Sequence, residues 1–222
     1  MPHPRRTTTI LCTAAAALAA AALGACNIVG PVGFLVAGEE KVPALYQLDK
    51  DRSVVVFVDD RASRVPEITA RVLIGRTAEK ALADQRLVRE IISSEGVSAV
   101  VARERFGQPM GIADVGAAVG AQTVIYATID EFTLSVDRTT FAPRAVARLK
   151  VVDTESRKRL WPTEDPGWHT VVVQLDERQG TVPTGPGDVG AAQRDLAARL
   201  GDAIAKVFYA HQRHVGSERI GR

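Results

Sequence analysis

The chain has 222 residues, 46% of them apolar and 24% charged, a composition that excludes a disordered, collagen-like or low-complexity architecture. Its 28 Lys and Arg stand against 26 Asp and Glu, and Arg5 and Arg6 account for the whole surplus of +2. The rest is balanced, so no clustered excess of cations marks a nucleic-acid surface, and nucleic acid is not a predicted partner.

Arg5 and Arg6 are followed by three threonines and an alanine-rich apolar run, Ile10 to Ala25, shorter than the roughly 20 residues that span a hydrocarbon core. A basic start, a run of this length and small residues at its end predict an export leader over residues 1–25. Leu23-Gly24-Ala25-Cys26 resembles the lipobox of bacterial lipoproteins, which implies cleavage before Cys26 and acylation of its thiol and its new amine. Two or three acyl chains, palmitate-like in length, hold a protein at a bilayer permanently, where one binds only reversibly. Of the two cysteines, Cys12 leaves with the leader and Cys26 carries lipid. No thiol then remains for a disulfide, a metal cage or a nucleophile. By the same resemblance Asn27, standing where an aspartate retains many lipoproteins at the inner membrane, implies the periplasmic face of the outer membrane.

Residues 26–52 read as the lipidated cysteine and a tether, with Ile28 to Gly38 apolar but broken by three glycines and a proline. Such a tether is expected to lie along its own domain, in the lipid interface or in a partner's groove, with packing on its own domain the first expectation, since exposed apolar surface is avoided. A domain is predicted over residues 53–212, followed by a polar tail, 213–222. Ser53 to Asp60 is a continuous β-branched run ending in two acids, the pattern of a strand buried on both faces. Pro66 and Glu67 open a helix in which Ile68, Val72, Gly75, Ala78 and Leu82 recur at helical spacing, with Gly75 and Ala78 small enough for close approach to a sheet. Leu87 to Ile92 predicts a short strand, and Ser93 or Ser94 caps a helix running to about Phe106. Met110 to Ala121 places Ile112, Val115 and Val119 on one stripe, stopped at Gly120.

From there the period becomes two. Thr123 to Leu134 is a strand that turns polar at Asp130 and Glu131. In the next, Ala145, Ala147, Leu149 and Val151 form a dry face and Val146, Arg148, Lys150 and Val152 a wet one. Asp153 to Lys158 turns the chain into Arg159-Leu160-Trp161, and Trp168 to Leu175 is a further strand. A Gly/Pro loop, Asp176 to Gly187, leads to a final helix with Val189, Ala192, Leu196, Leu200, Ala203 or Ile204, and Val207 inward. Asp195 with Arg199, and Asp202 with Lys206, stand four apart on its other faces. The fold class predicted is α/β (α+β), one domain with a mixed sheet and helices packed on it.

The words Val54-Val-Val-Phe-Val-Asp59, Val115-Gly-Ala-Ala-Val-Gly-Ala121 running into Thr123-Val-Ile-Tyr-Ala, Leu149-Lys-Val-Val-Asp153 and Leu160-Trp161 occur in an order that carries a resemblance. From Ser53 to Tyr209 the chain resembles the periplasmic domain shared by the curli-secretion lipoprotein, the N-terminal domain of the Tol system's periplasmic protein and the lipoprotein activators of cell-wall synthases. It also resembles uncharacterised lipoproteins of its own length. The resemblance implies a non-catalytic protein-binding or scaffolding module in envelope assembly or secretion. Its partners would be membrane lipid through Cys26 and an envelope protein. It also implies an alternative, an oligomeric, ring-forming secretion subunit, although no spare pair of alternating segments of about 10 residues is present to build a barrel.

Candidate chemistry is sparse. Asp59, Asp60 and Asp130 fall at strand ends, where acids can gather a hard cation; that would support a second alternative, a metal-dependent envelope hydrolase. The commoner role of such acids is in turns and at solvated strand ends, and that is the expectation here. His169 shares a strand face with Val171, Val173 and Leu175 and reads as a core or edge residue. His211 and His214 read as cations at the end of the last helix. Gly185-Pro-Gly187-Asp-Val-Gly190 matches G-x-G-x-x-G, but Pro186 removes a phosphate-facing donor and no strand leads into it. A loop with Asp188 as helix cap is expected. No catalytic residue, resident metal or cofactor is predicted.

Overall fold

The structure is a computed structural model and describes residues 41–102, 109–135, 137, 139–175, 178–212 and 218–220. Cys26 and the lipobox, the apolar tether and His214 lie outside the described residues. Everything below concerns the unit Val42–Arg222.

Chain order gives β1 (Ser53–Asp59), α1 (Ile68–Asp84), β2 (Glu90–Ile92), α2 (Ser94–Val101), α3 (Ile112–Ala118) and β3 (Thr123–Thr133). There follow β4 (Thr140–Phe141), β5 (Arg144–Asp153), β6 (Arg159–Trp161), β7 (His169–Gln174), β8 (Arg178–Thr181), α4 (Pro186–Lys206) and β9 (Glu218–Ile220). The sheet runs β9-β7-β5-β3-β1-β2, with β6 also paired to β5. β1 is parallel to both β2 and β3, and every other pairing in the sheet is antiparallel. This is the mixed α+β sheet with helices on it that the period changes predict.

β1 is valine-rich because both its faces are covered. Val54 and Val56 join a core beneath α1 and α4, while Val55 and Phe57 join a second core beneath α2 and α3. The first core is the larger and continues through Ile125, Leu149, Val171 and Val173 to Leu196, Leu200 and Ile204 of α4. α4 passes close to α1 at Gly201, where an added Cβ would overlap the carbonyl oxygen of Ile74 and lie 2.8 Å from Thr77 Cβ. α3 is pressed onto β3 in the same way, since a Cβ on Gly116 would overlap both Val124 Cγ2 and Thr154 Cγ2. Gly120, at φ 79°, supplies the left-handed residue that ends α3 and feeds the chain into β3.

Several local expectations are corrected. α1 starts at Ile68 with Glu67 as N-cap, so Pro66 precedes the helix. Its Gly75 makes room for α2, since an added Cβ there would lie 2.8 Å from Ser94 Oγ, and not chiefly for the sheet. Ser93 is the cap of α2, accepting from the Glu95 N–H. The loop after β7 contains β8, which pairs with β4. In α4 the buried set is centred on Gln193, Leu196, Ala197, Leu200, Gly201 and Ile204, with Val189 and Ala192 nearer the margin. Its N-cap is Gly185, and Asp188 lies in the first turn, where its charge complements the helix dipole. Residues placed with the tether by their sequence pack on the domain: Leu48 is buried, and Tyr46 meets the rings of Trp161 and Phe208.

Candidate functional site

Among the described residues, the two faces of the sheet are covered unequally. α1 and α4 roof the first face as far as β7, whereas on the second face α2 and α3 pack on β1 and β3 and reach only part of β5. The second face carries Arg148 and Lys150 on β5, Trp168 just before β7, and Thr170 and Gln174 on β7, with the Arg148 side chain 43% exposed.

Register assembles these side chains. Phe57 pairs with Tyr126 and Tyr126 with Lys150, so one cross-strand row leads from the second core outward to Trp168, just before β7. The Phe57 and Tyr126 rings meet edge to face at 5.2 Å, and the Tyr126 and Trp168 centroids are 5.9 Å apart. Lys150 Nζ lies 4.1 Å from the Trp168 centroid and 5.3 Å from that of Tyr126. The Arg148 guanidinium lies 5.1 Å from the same indole. Two cations therefore flank one tryptophan, each attracted by the negative face of the ring. Burial, then repulsion from Arg159 and Arg148, lowers the Lys150 pKa from its ordinary value.

The three acids singled out in the sequence do not converge. Asp59 Oδ2 accepts the Tyr126 hydroxyl at 2.6 Å and is 3.5 Å from Arg61 Nη1. Asp130 grips Arg148 through Nε at 2.5 Å and Nη2 at 2.9 Å. Asp60 accepts the N–H groups of Arg64 at 2.7 Å and Val65 at 3.0 Å, closing the turn between β1 and α1. Among the described residues no group of three His, Cys, Asp or Glu could hold a metal ion. Two of the acids thus orient members of the aromatic and cationic row. Burial and the Asp59 contact push the Tyr126 pKa upward, so the phenol stays a donor.

Trp168 also borders a cleft of about 450 Å³ at the end of β7, lined by Trp161, His169, Leu45 and Lys206 among others. Leu45 is 45% exposed there, one of two large apolar side chains left open among the described residues. His169 turns toward the first core beside Trp161, ring centroids 5.0 Å apart, and burial lowers its pKa. Its Nε2 is buried and has no partner among the described residues. His211 belongs to an extended segment beyond α4, not to the helix end, with Nδ1 3.2 Å from the Tyr209 carbonyl. Sequence reasoning found Arg148 and Lys150 on the second face of β5, but Val146 and Val152, expected on the same wet face, are buried, and Trp168 was missed as a site residue; its signal was a tryptophan abutting a strand whose neighbouring strand carries alternate cations.

No family model matches the chain, and no curated protein matches it. Among solved structures it is similar to the PelC dodecamer from Paraburkholderia phytofirmans, at 12% identity over 75% of this chain and 95% of that one, TM-score 0.38. It is similar to lipoprotein GNA1162 from Neisseria meningitidis, at 14% identity over 68% and 99%, TM-score 0.40. Protein XCC0632 from Xanthomonas campestris gives 9% over 72% and 84%, TM-score 0.40. At these identities and scores the likeness carries no argument about what this chain does.

Proposed function

We propose that this chain is a lipid-anchored envelope protein, held through Cys26 at the periplasmic face of the outer membrane, and that it binds another protein on the half-open sheet face without catalysis. The observation that carries the reading is the use made of Asp59 and Asp130. They hold Tyr126 and Arg148 in a row that ends at Trp168, and Trp, Tyr and Arg are the side chains that dominate protein interfaces. The cleft beside Trp168, with Leu45 open in it, extends the same surface. The anchor rests on Leu23-Gly24-Ala25-Cys26 and the apolar run before it.

Two measurements test it. Cys26→Ser should leave the precursor uncut or release the protein from the membrane fraction; normal processing with unchanged anchoring would refute the lipid anchor. A photo-crosslinker at Thr170, exposed on the second face, should trap a partner, and one at Lys80, exposed on α1, should not. An adduct with a second copy would identify the partner as the chain itself. Equal trapping from both positions, or none from Thr170, would remove the docking face.

A further inference from the structure

A second cleft, of about 320 Å³, opens at the carboxyl end of β1 between α1 and α2. Its place follows from the topology. β1 hands the chain through α1 to β2 on one side, while β3, parallel to β1 on the other side, sends it away toward β5. Where connections diverge at the carboxyl ends of parallel strands, a crevice is left that neither helix fills. The two helices are tied together near Gly75 and Ser94. Glu79 Oε1 accepts the Ser94 N–H at 2.6 Å, Arg76 pairs with Glu95, and a Cβ on Gly75 would lie 2.8 Å from Ser94 Oγ.

One side of the lining is apolar, with Val58, Val72, Val97 and Val101, and with Ile68, which at 71% exposure is the most open large apolar side chain among the described residues. Asp59, Asp60 and Glu95 line it together with Arg61 and Arg71, and every one of these acids is already engaged. Asp59 is engaged by Tyr126 and Arg61, Asp60 by two turn amides, and Glu95 by Arg76. Arg71, half-buried in the same cleft, has no ion pair or side-chain hydrogen bond among the described residues. An arginine partly removed from water beside four valines and an isoleucine gains most from an anion that brings its own apolar body.

We infer that this cleft binds a small aliphatic carboxylate, with its oxygens on the Arg71 guanidinium and its hydrocarbon against Ile68, Val72, Val97 and Val101. The inference is independent of the docking face and of the anchor. The volume lies at the small end of ligand pockets, which fits a short acyl group or one aliphatic C-terminal residue of a peptide.

The test is equilibrium dialysis of the full chain purified in non-ionic detergent, whether or not it carries lipid, corrected with detergent alone, against propanoate, butanoate, pentanoate and hexanoate. Saturable binding is expected, tightening about fourfold per methylene until the cleft is full. Hexanol should bind at least tenfold more weakly than hexanoate. Arg71→Gln should lose the preference for the acid, and Arg71→Glu should transfer it to hexylammonium, which shows that the variant is folded. N-acetyl-leucyl-leucine run beside hexanoate separates the two sources by which binds tighter. Equal affinity for hexanoate and hexanol, an unchanged preference in Arg71→Gln, or no binding of any acid would overturn the inference.

Discussion

Lys150 on β5 and Trp168 just before β7 are joined by a 4.1 Å contact between an ammonium and an indole, and burial already weakens that ammonium's hold on its proton. A cation over a partly desolvated ring contributes about 0.5–2 kcal/mol. A double-mutant cycle with Lys150→Met and Trp168→Ala, read by urea unfolding, should return a coupling in that range. Additive effects within about 0.3 kcal/mol would show that the two side chains do not support each other.

Gly201 sets the distance between α1 and α4. Because the atom nearest an added Cβ is the backbone oxygen of Ile74, relief requires one helix to move. Gly201→Ala should therefore destabilise by about 1–3 kcal/mol through overpacking. Gly187→Ala, in the first turn of the same helix with nothing within 4 Å of the new methyl, should be neutral or stabilising by up to about 1 kcal/mol. Thermal melts of the two variants make the comparison.

Asp153 accepts the Ser156 hydroxyl and N–H, both at 2.6 Å, and pairs with Arg52. These contacts lower its pKa to about 2, with the Ser156 hydroxyl foremost. The unfolded chain, with an aspartate pKa near 3.9, binds the proton first as pH falls. The contribution of Asp153 is thus complete above about pH 4 and disappears as pH drops toward 2. Asp153→Asn should be less stable at pH 7 and should flatten the acid limb of a stability curve measured between pH 5 and 2.

His169 gives a loss of stability nearer neutrality. Burial depresses its pKa, so below the unfolded value of about 6.5 the unfolded chain takes up a proton that the folded one resists. Stability should fall as pH drops from 7.5 to 5.5. His169→Phe keeps a ring beside Trp161 and removes the unpartnered Nε2, so its melting temperature should fall less over the same interval. Identical pH slopes for the two proteins would exclude His169 as the source.

Much of the fold could be read from local pattern. The valine run of β1, the helical spacing of Gly75, Ala78 and Leu82, and the stop at Gly120 each depend on neighbours a few residues away and appear where their period places them, whereas Ile68, expected on the same helical stripe, is 71% exposed and Ala70 and Ile74 are buried instead. β8 and β9 could not be read this way, because two- to four-residue strands gain their stability from the strand they pair with and not from a pattern of their own. The acids show the same limit. A carboxylate at a strand end looks alike whether it will meet a metal, a turn amide or an arginine. Asp130 was legible as an acid, but its partner Arg148 lies 18 residues away and depends on the hairpin register.

The sequence by itself determined the order and type of the main elements and the dry face of β5, since hydrophobic periodicity is a local property. Only the tertiary structure decided which strand lies beside which. That adjacency placed Phe57, Tyr126, Lys150 and Trp168 in one row and left Arg71 facing a crevice whose carboxylates are engaged elsewhere. The reason is physical: a one-residue slip in register would turn every side chain of a strand to the opposite face, and register is settled by burial across the whole sheet, not by any segment alone.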